Sequence, residues 1–214
     1  MDELELLKRD WKKKGNQMPK LGYDEIYRMI WKKSSSIVKW IFLISIIEFL
    51  LPHLLYLLPA MSKSIAVWKG LGLGNFLLAS NVVQYSVVLF FIFLFYKRYK
   101  EISSLDNARQ LLSNILKTRK TVKYYVIFCL SLIFISFVVM AAGIYLSDNP
   151  VEAMGYNYNL DNADPIKVKK TMIATVLLLG TIVTAVMGCI YFLLYGILLK
   201  KLNKNYKELK EMEF

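Results

Sequence analysis

The sequence predicts an all-α integral membrane protein: four transmembrane helices with amphipathic helices on their cytoplasmic side. Hydrophobic residues make up 56% of the 214-residue chain, yet 21% are charged and the net charge is +12, so the apolar and charged parts must be segregated along it. Four runs almost free of charge, at about 37–58, 75–96, 124–146 and 171–199, achieve that segregation. Each is as long as the roughly 20 residues that cross a bilayer core as a helix. Lipid satisfies no backbone group, and these runs lack the two-residue alternation of a transmembrane barrel, so helices are the expected form.

Residues 1–36 are read as a cytoplasmic amphipathic segment. In "LELLKRDW", Leu4, Leu7 and Trp11 form an apolar stripe, and in "YDEIYRMIWKK", Tyr23, Ile26, Tyr27 and Ile30 follow helical i, i+3, i+4, i+7 spacing. Between them Gly15, Pro19 and Gly22 punctuate the chain. The expected surface for a protein partner or for lipid is therefore Leu4, Leu7, Trp11, Tyr23, Ile26 and Ile30. Because 36 mostly polar residues precede the first apolar run, that run is expected to be a retained span and not a secretory signal.

The first run, within the four-helix transmembrane domain 37–199, carries Glu48, Pro52 and His53. Helical depth places Glu48 near the midpoint, level with Gln84 of the second run, while His53 and Asn81 lie farther along and Thr184 of the fourth run reaches the same region. Pro52 cannot donate the hydrogen bond that the Glu48 carbonyl would otherwise accept, so a kink and a freed acceptor are expected there. Burial disfavours a charged carboxylate, so Glu48 is expected to be a neutral group hydrogen-bonded to Gln84 or to a hydroxyl of the fourth helix. A proton or cation relay through Glu48 and His53 is the alternative.

The cytoplasmic loop is read as 97–123, with Leu105, Ala108, Leu112 and Ile115 at helical spacing. The second helix extends into it, since neither Gly nor Pro occurs between Asn75 and Ala142. External loops are expected at 59–74 and 147–170, and a cytoplasmic tail at 200–214. In the fourth run Gly180, Thr184, Gly188 and Gly196 repeat the small-residue spacing that lets membrane helices approach closely, either inside the bundle or along the seam of a homo-oligomer. Trp40, Tyr96, Tyr99, Tyr124, Tyr125 and Tyr195 are expected at the inner interface, with Tyr56, Trp68 and Tyr145 at the outer one.

No cofactor is expected. Cys129 and Cys189 sit in apolar runs, His53 is the single histidine, and neither a phosphate-binding glycine loop nor a catalytic triad pattern is present, so no metal site and no enzyme are read from the chain. The basic surface fits anionic lipid headgroups. Nucleic acid is not an expected partner, because no recognised binding fold accompanies the charge.

The stretch "LELLKRDWKKK" followed by "LGYDEIYRMIWKKSSSIVKWIF" resembles the front of small uncharacterised bacterial multi-span membrane proteins. The resemblance covers about the first 58 residues and implies a bacterial inner-membrane location. Some such sequences carry the label carotene monooxygenase, which implies an iron enzyme with several histidine ligands; a chain with His53 alone does not support it. The leading expectation is a non-enzymatic scaffold or regulatory accessory subunit that presents cytoplasmic amphipathic helices to a cytoplasmic or membrane partner. The alternative is a small-solute or ion transport component, proton-coupled in one form, using the Glu48 level.

Orientation follows from charge. Of the 28 Lys and Arg residues, 23 lie in 1–39, 97–123 and 200–214, and five lie in 59–74 and 147–170. The positive-inside rule then places both termini in the cytoplasm. Cysteines introduced near Trp68 should be labelled by an impermeant maleimide in intact cells, and cysteines at either terminus only after lysis; external labelling at a terminus would reverse the topology.

Overall fold

A computed structural model describes residues 4, 5, 8, 22–55, 59–103, 108–155 and 164–212. Leu7, Trp11, Leu105, Tyr56 and Tyr156, with most of the 4–11 stripe, lie outside the described residues. Among those described, all regular structure is helical: α1 (Tyr23–Leu55), α2 (Pro59–Gly70), α3 (Gly74–Ser103), α4 (Ala108–Leu146), the single turn α5 (Pro150–Ala153), α6 (Pro165–Tyr191) and α7 (Ile197–Met212). A π-helical turn, Phe192–Gly196, joins α6 to α7 without a break.

Four helical stretches are long and apolar enough to cross a membrane: α1, α3, α4 and the continuous α6–α7 rod. This fits a multi-pass membrane protein. At 1.5 Å per residue, the 33 residues of α1 and the 39 of α4 reach about 50 and 58 Å. Both lengths exceed the roughly 30 Å of a hydrocarbon core, so the helices must continue well beyond it.

The long helices form an antiparallel ring in which α1 packs on α3, α3 on α4, α4 on α6, and α7 returns to α1 and α4. Cross-links establish the register. Ser34 meets Asn205 while Glu48 meets Tyr195, so α1 and the last rod run in opposite directions. Trp31 donates to the Ile102 carbonyl at 2.7 Å, and Phe42 lies against Tyr96, which sets α1 antiparallel to α3.

Two cores stack along the axis. At the basic end, Ile30, Val38, Ile102, Leu111, Ile115, Leu202 and Leu209 are buried together. Farther along, Ile41, Val88, Phe95, Val122, Tyr125, Tyr191 and Tyr195 form the second. The first core has a polar fringe: Asn205 donates to Ser34 at 3.1 Å and Arg119 to Asn203 at 2.6 Å. Beyond it the outward faces are apolar, with Leu50, Phe93, Ile135 and Leu178 all exposed.

This arrangement corrects the expected partner surface. Residues 23–30 are the opening turns of α1, which meets no Gly or Pro until Pro52. Ile30 is 3% exposed and Ile26 packs beside it on the basic-end core, so both are consumed within the bundle. Tyr23 and Leu4 remain exposed. The stretch 97–123 is nearly all helix: α3 runs to Ser103 and α4 begins at Ala108, with Ala108, Leu112 and Ile115 facing the same core. The stretch 59–74 holds α2, and 147–170 holds α5 and the start of α6, whose first turn Asp164 caps by accepting from the Ile166 amide.

At the end opposite the basic core, Gly72 has φ +73° and turns the chain from α2 into α3. Gly70 lies against the Ala153 backbone, where a side chain would have no room. Gly180 meets Phe137 of α4 so closely that a Cβ would stand 2.6 Å from the ring's Cγ. That position therefore serves packing inside the bundle. Gly188 faces Leu130 of α4 more loosely, and Gly196 accommodates the Phe192 ring of its own helix.

Leu202 is fully buried, whereas Leu193 is 60% exposed. Leu202→Ala should lower unfolding stability in detergent by about 2–5 kcal/mol through a cavity in the basic-end core. Leu193→Ala should change it by no more than about 0.5 kcal/mol. Equal effects would mean that the basic-end core does not hold the bundle together.

Candidate functional site

Glu48 is the one acid in the apolar half of α1, and its partner is Tyr195, whose hydroxyl donates to Oε2 at 2.8 Å. The expected partners were Gln84 or a hydroxyl of the fourth helix, and a hydroxyl it is. Its source is a tyrosine that position along the chain had placed at the membrane interface. Side chains on a helix lean toward its N-terminus. Because α1 and the last rod are antiparallel, Glu48 leans toward the basic end and Tyr195 leans away from it. A long phenol thus bridges two backbone positions at unequal depth.

Tyr191 precedes Tyr195 by four residues, and the two rings stack at 6.0 Å with planes 22° apart. Tyr191 lines the same cavity wall as Glu48 and Cys129. Tyr125 of α4 meets both rings edge-on, at 6.4 and 6.0 Å, and meets Phe95 of α3 at 5.6 Å. The π-helical turn begins directly after Tyr191 and contains Tyr195. Such turns occur mostly as single insertions in α-helices, frequently at functional sites. Here the turn carries Tyr195, whose hydroxyl reaches the Glu48 carboxylate, while α7 keeps Leu202 and Leu209 in the basic-end core.

Beyond the tyrosines α1 and α6 scarcely touch, and a cavity of about 640 Å³ opens among α1, α3, α4 and α6. Tyr125 and Tyr191 contribute to its wall together with Glu48, His53, Asn81, Gln84 and Ser136. Apolar side chains form the rest, among them Phe49, Phe128, Leu132 and Met187. Ile47 and Leu51 on α1, with Ile190 and Leu194 on the facing rod, line the cavity and are 40–53% exposed. Pro52, His53 and Gln84 on its wall are exposed as well, so the exposed rim is mainly apolar with two polar side chains.

The structure brings most of the sequence-identified polar residues to this cavity. His53 has Nδ1 2.8 Å from the Phe49 carbonyl, and its ring lies 5.4 Å from that of Tyr85. Asn81 donates to the Leu77 carbonyl on its own helix at 2.7 Å. Gln84 is on the wall but is not the acceptor or donor that holds Glu48. Pro52 also lines the cavity, inside an uninterrupted α1. Thr184 is set apart from it: its hydroxyl donates to the Gly180 carbonyl one turn back, which corrects its grouping with Glu48.

The residues that sequence reasoning missed are aromatic. Tyr125 and Tyr195 were expected at the inner interface, and Tyr191, Phe49 and Tyr85 were not singled out, although the four-residue spacing of Tyr191 and Tyr195 was a usable sign that two phenols share one helical face. Among the described residues, no three His, Cys, Asp or Glu side chains cluster as metal ligands.

The chain belongs to the family described as a domain of unknown function (DUF8845), whose model matches residues 24–214. No curated protein and no solved structure matches it.

Glu48→Gln keeps a carbonyl acceptor for Tyr195 and should leave the fold intact. Glu48→Leu strands the Tyr195 hydroxyl and should cost about 0.6–2 kcal/mol, the range of a hydrogen bond between membrane helices. Tyr195→Phe removes the same bond and should cost a similar amount or less. Unfolding titrations of the three variants check this, and a Glu48→Leu variant as stable as wild type would remove the bond from the account.

Proposed function

We propose that this DUF8845 member is a multi-pass membrane protein that binds a small lipophilic solute between its helices, as a transport component working by binding and release without covalent chemistry. The cavity beside Glu48 carries the reading. Its volume falls within the roughly 300–1,000 Å³ of small-molecule sites, and it joins apolar walls to a few convergent polar groups, as such sites do.

The membrane setting supports lateral entry. Exposed Leu, Ile and Phe side chains cover the apolar half on every long helix, a surface far larger than soluble monomers present. With lipid around that surface, the mainly apolar rim that includes Ile47, Leu51, Ile190 and Leu194 faces acyl chains. A solute dissolved in the bilayer would reach Glu48 without crossing water. In the proposed orientation both termini and the basic-end core are cytoplasmic, in a bacterial inner membrane, with Lys and Arg against anionic headgroups.

The scaffold reading draws on the remaining free surface at the basic end. Its support is narrower, because Ile26, Ile30, Leu112 and Ile115 are engaged with one another. Among the described residues of the expected set, Tyr23 and Leu4 are exposed and open to a partner.

The test is binding of 1-aminoanthracene, a small lipophilic fluorophore, to protein in nanodiscs. Wild type should bind it saturably near one per chain. Ser136→Trp, which fills the cavity, should weaken binding by about tenfold or more, equivalent to about 1.4 kcal/mol, while Leu178→Trp on the exposed face should not. Non-saturable binding, or equal binding by Ser136→Trp, would overturn the proposal.

A further inference from the structure

We infer that the solute taken by this cavity is a lipophilic cation, one positive charge on an aromatic or branched apolar body; the inference rests on the binding reading above. Charge complementarity leads to it. Among the described residues, Glu48 is the only acid lining the cavity, and no Lys or Arg lines it. Its hydrogen-bond partner is a phenol, which offers a donor but no positive charge. A carboxylate in a low-dielectric setting without a counter-charge is costly, and an opposite charge within about 4–6 Å favours its ionised form. A cation entering the cavity would supply the charge that the protein omits.

The walls are suited to the same ligand. Phe49, His53 and Tyr85 form a cluster with ring centroids 5.0–6.1 Å apart on α1 and α3. Tyr125 and Tyr191 stand nearly perpendicular to each other on α4 and α6. All five rings line the cavity, so aromatic side chains surround the acid from four helices. Aromatic faces attract cations, most strongly when the site is dry. An anion would meet Glu48 and the negative ring faces together and gain nothing. A neutral solute would gain the apolar contact but not the charge pairing.

Access argues in the same direction. The exposed lining residues are Ile47, Leu51, Pro52, Ile190 and Leu194 with the polar His53 and Gln84, a mainly apolar rim that offers a small hydrated metal ion few groups to replace its water. A cation whose charge is covered by hydrocarbon needs no such replacement.

The experiment uses full-length protein in nanodiscs with two ligands of similar size, tetraphenylphosphonium and neutral triphenylmethanol. Empty discs serve as the baseline, and 1-aminoanthracene as the reporter of cavity integrity. Tetraphenylphosphonium should bind saturably and displace the fluorophore, and triphenylmethanol should bind about tenfold more weakly or worse. Glu48→Gln should lose about tenfold or more for the cation, the loss expected of a charged contact worth about 1.4 kcal/mol, and markedly more than it loses for the neutral fluorophore. Glu48→Asp, which keeps the charge, should bind the cation more tightly than Glu48→Gln. Equal binding of the two ligands, with no effect of Glu48→Gln, would overturn the cation inference and leave the cavity reading standing. Failure of both ligands and of the fluorophore to bind saturably would overturn both.

Discussion

A carboxylate on the apolar part of a long helix has to find donors among its neighbours, and much of this structure is arranged around how Glu48 finds them. Tyr195 reaches it from the opposite direction along an antiparallel helix, which ties α1 to the last rod at one level. Tyr191 stacks on Tyr195 because it stands one turn away on the same face. Tyr125 meets both rings and Phe95 meets Tyr125, which completes an aromatic floor beside the acid. Below that floor the helices close on one another. Above it α1 and α6 separate, and the cavity begins.

The two halves of the bundle are held together by different means, each suited to its surroundings. At the basic end, burial of Ile30, Ile102, Leu111 and Leu202 draws on the hydrophobic effect, and Trp31, Asn205 and Arg119 add directional cross-links. In the apolar half large hydrophobic side chains cover the outward faces as well as the inward ones. Close contact takes over, as Gly180 against Phe137 and Gly143 against Leu73 illustrate. Hydroxyls in this half mostly bond their own helix: Ser45 to Phe42, Ser136 to Leu132 and Thr184 to Gly180. The Glu48 bond therefore stands out as a tie between helices distant in the chain.

The cavity lies directly on this floor. The π-helical turn follows Tyr191, contains Tyr195 and runs straight into α7, which packs in the basic-end core. Tyr195 therefore sits on the same rod that carries Leu202, Asn205 and Leu209. The cavity and the basic end are thus connected by one continuous helix and not by a loop.

The number of long helices, their approximate positions and the concentration of charge at one end were determined by the sequence alone, because apolar run length and Lys and Arg counts are local properties. The importance of Glu48, Pro52, His53, Asn81 and Gln84 was also legible, since polar groups in apolar runs are costly wherever they point. What the tertiary structure decided was pairing. Helical rise gives the depth of a backbone position but not the reach of a side chain, so Tyr195 was read as an interface residue and Thr184 as a neighbour of the acid. The stripe of Ile26 and Ile30 was equally ambiguous. An amphipathic face only says that something covers it, and here α3, α4 and α7 do so because all four long helices outrun the apolar span together. The cavity itself had no local signature: it exists because α1 and α6 part above an aromatic floor, a relation between residues 48 and 195 that no window of sequence contains.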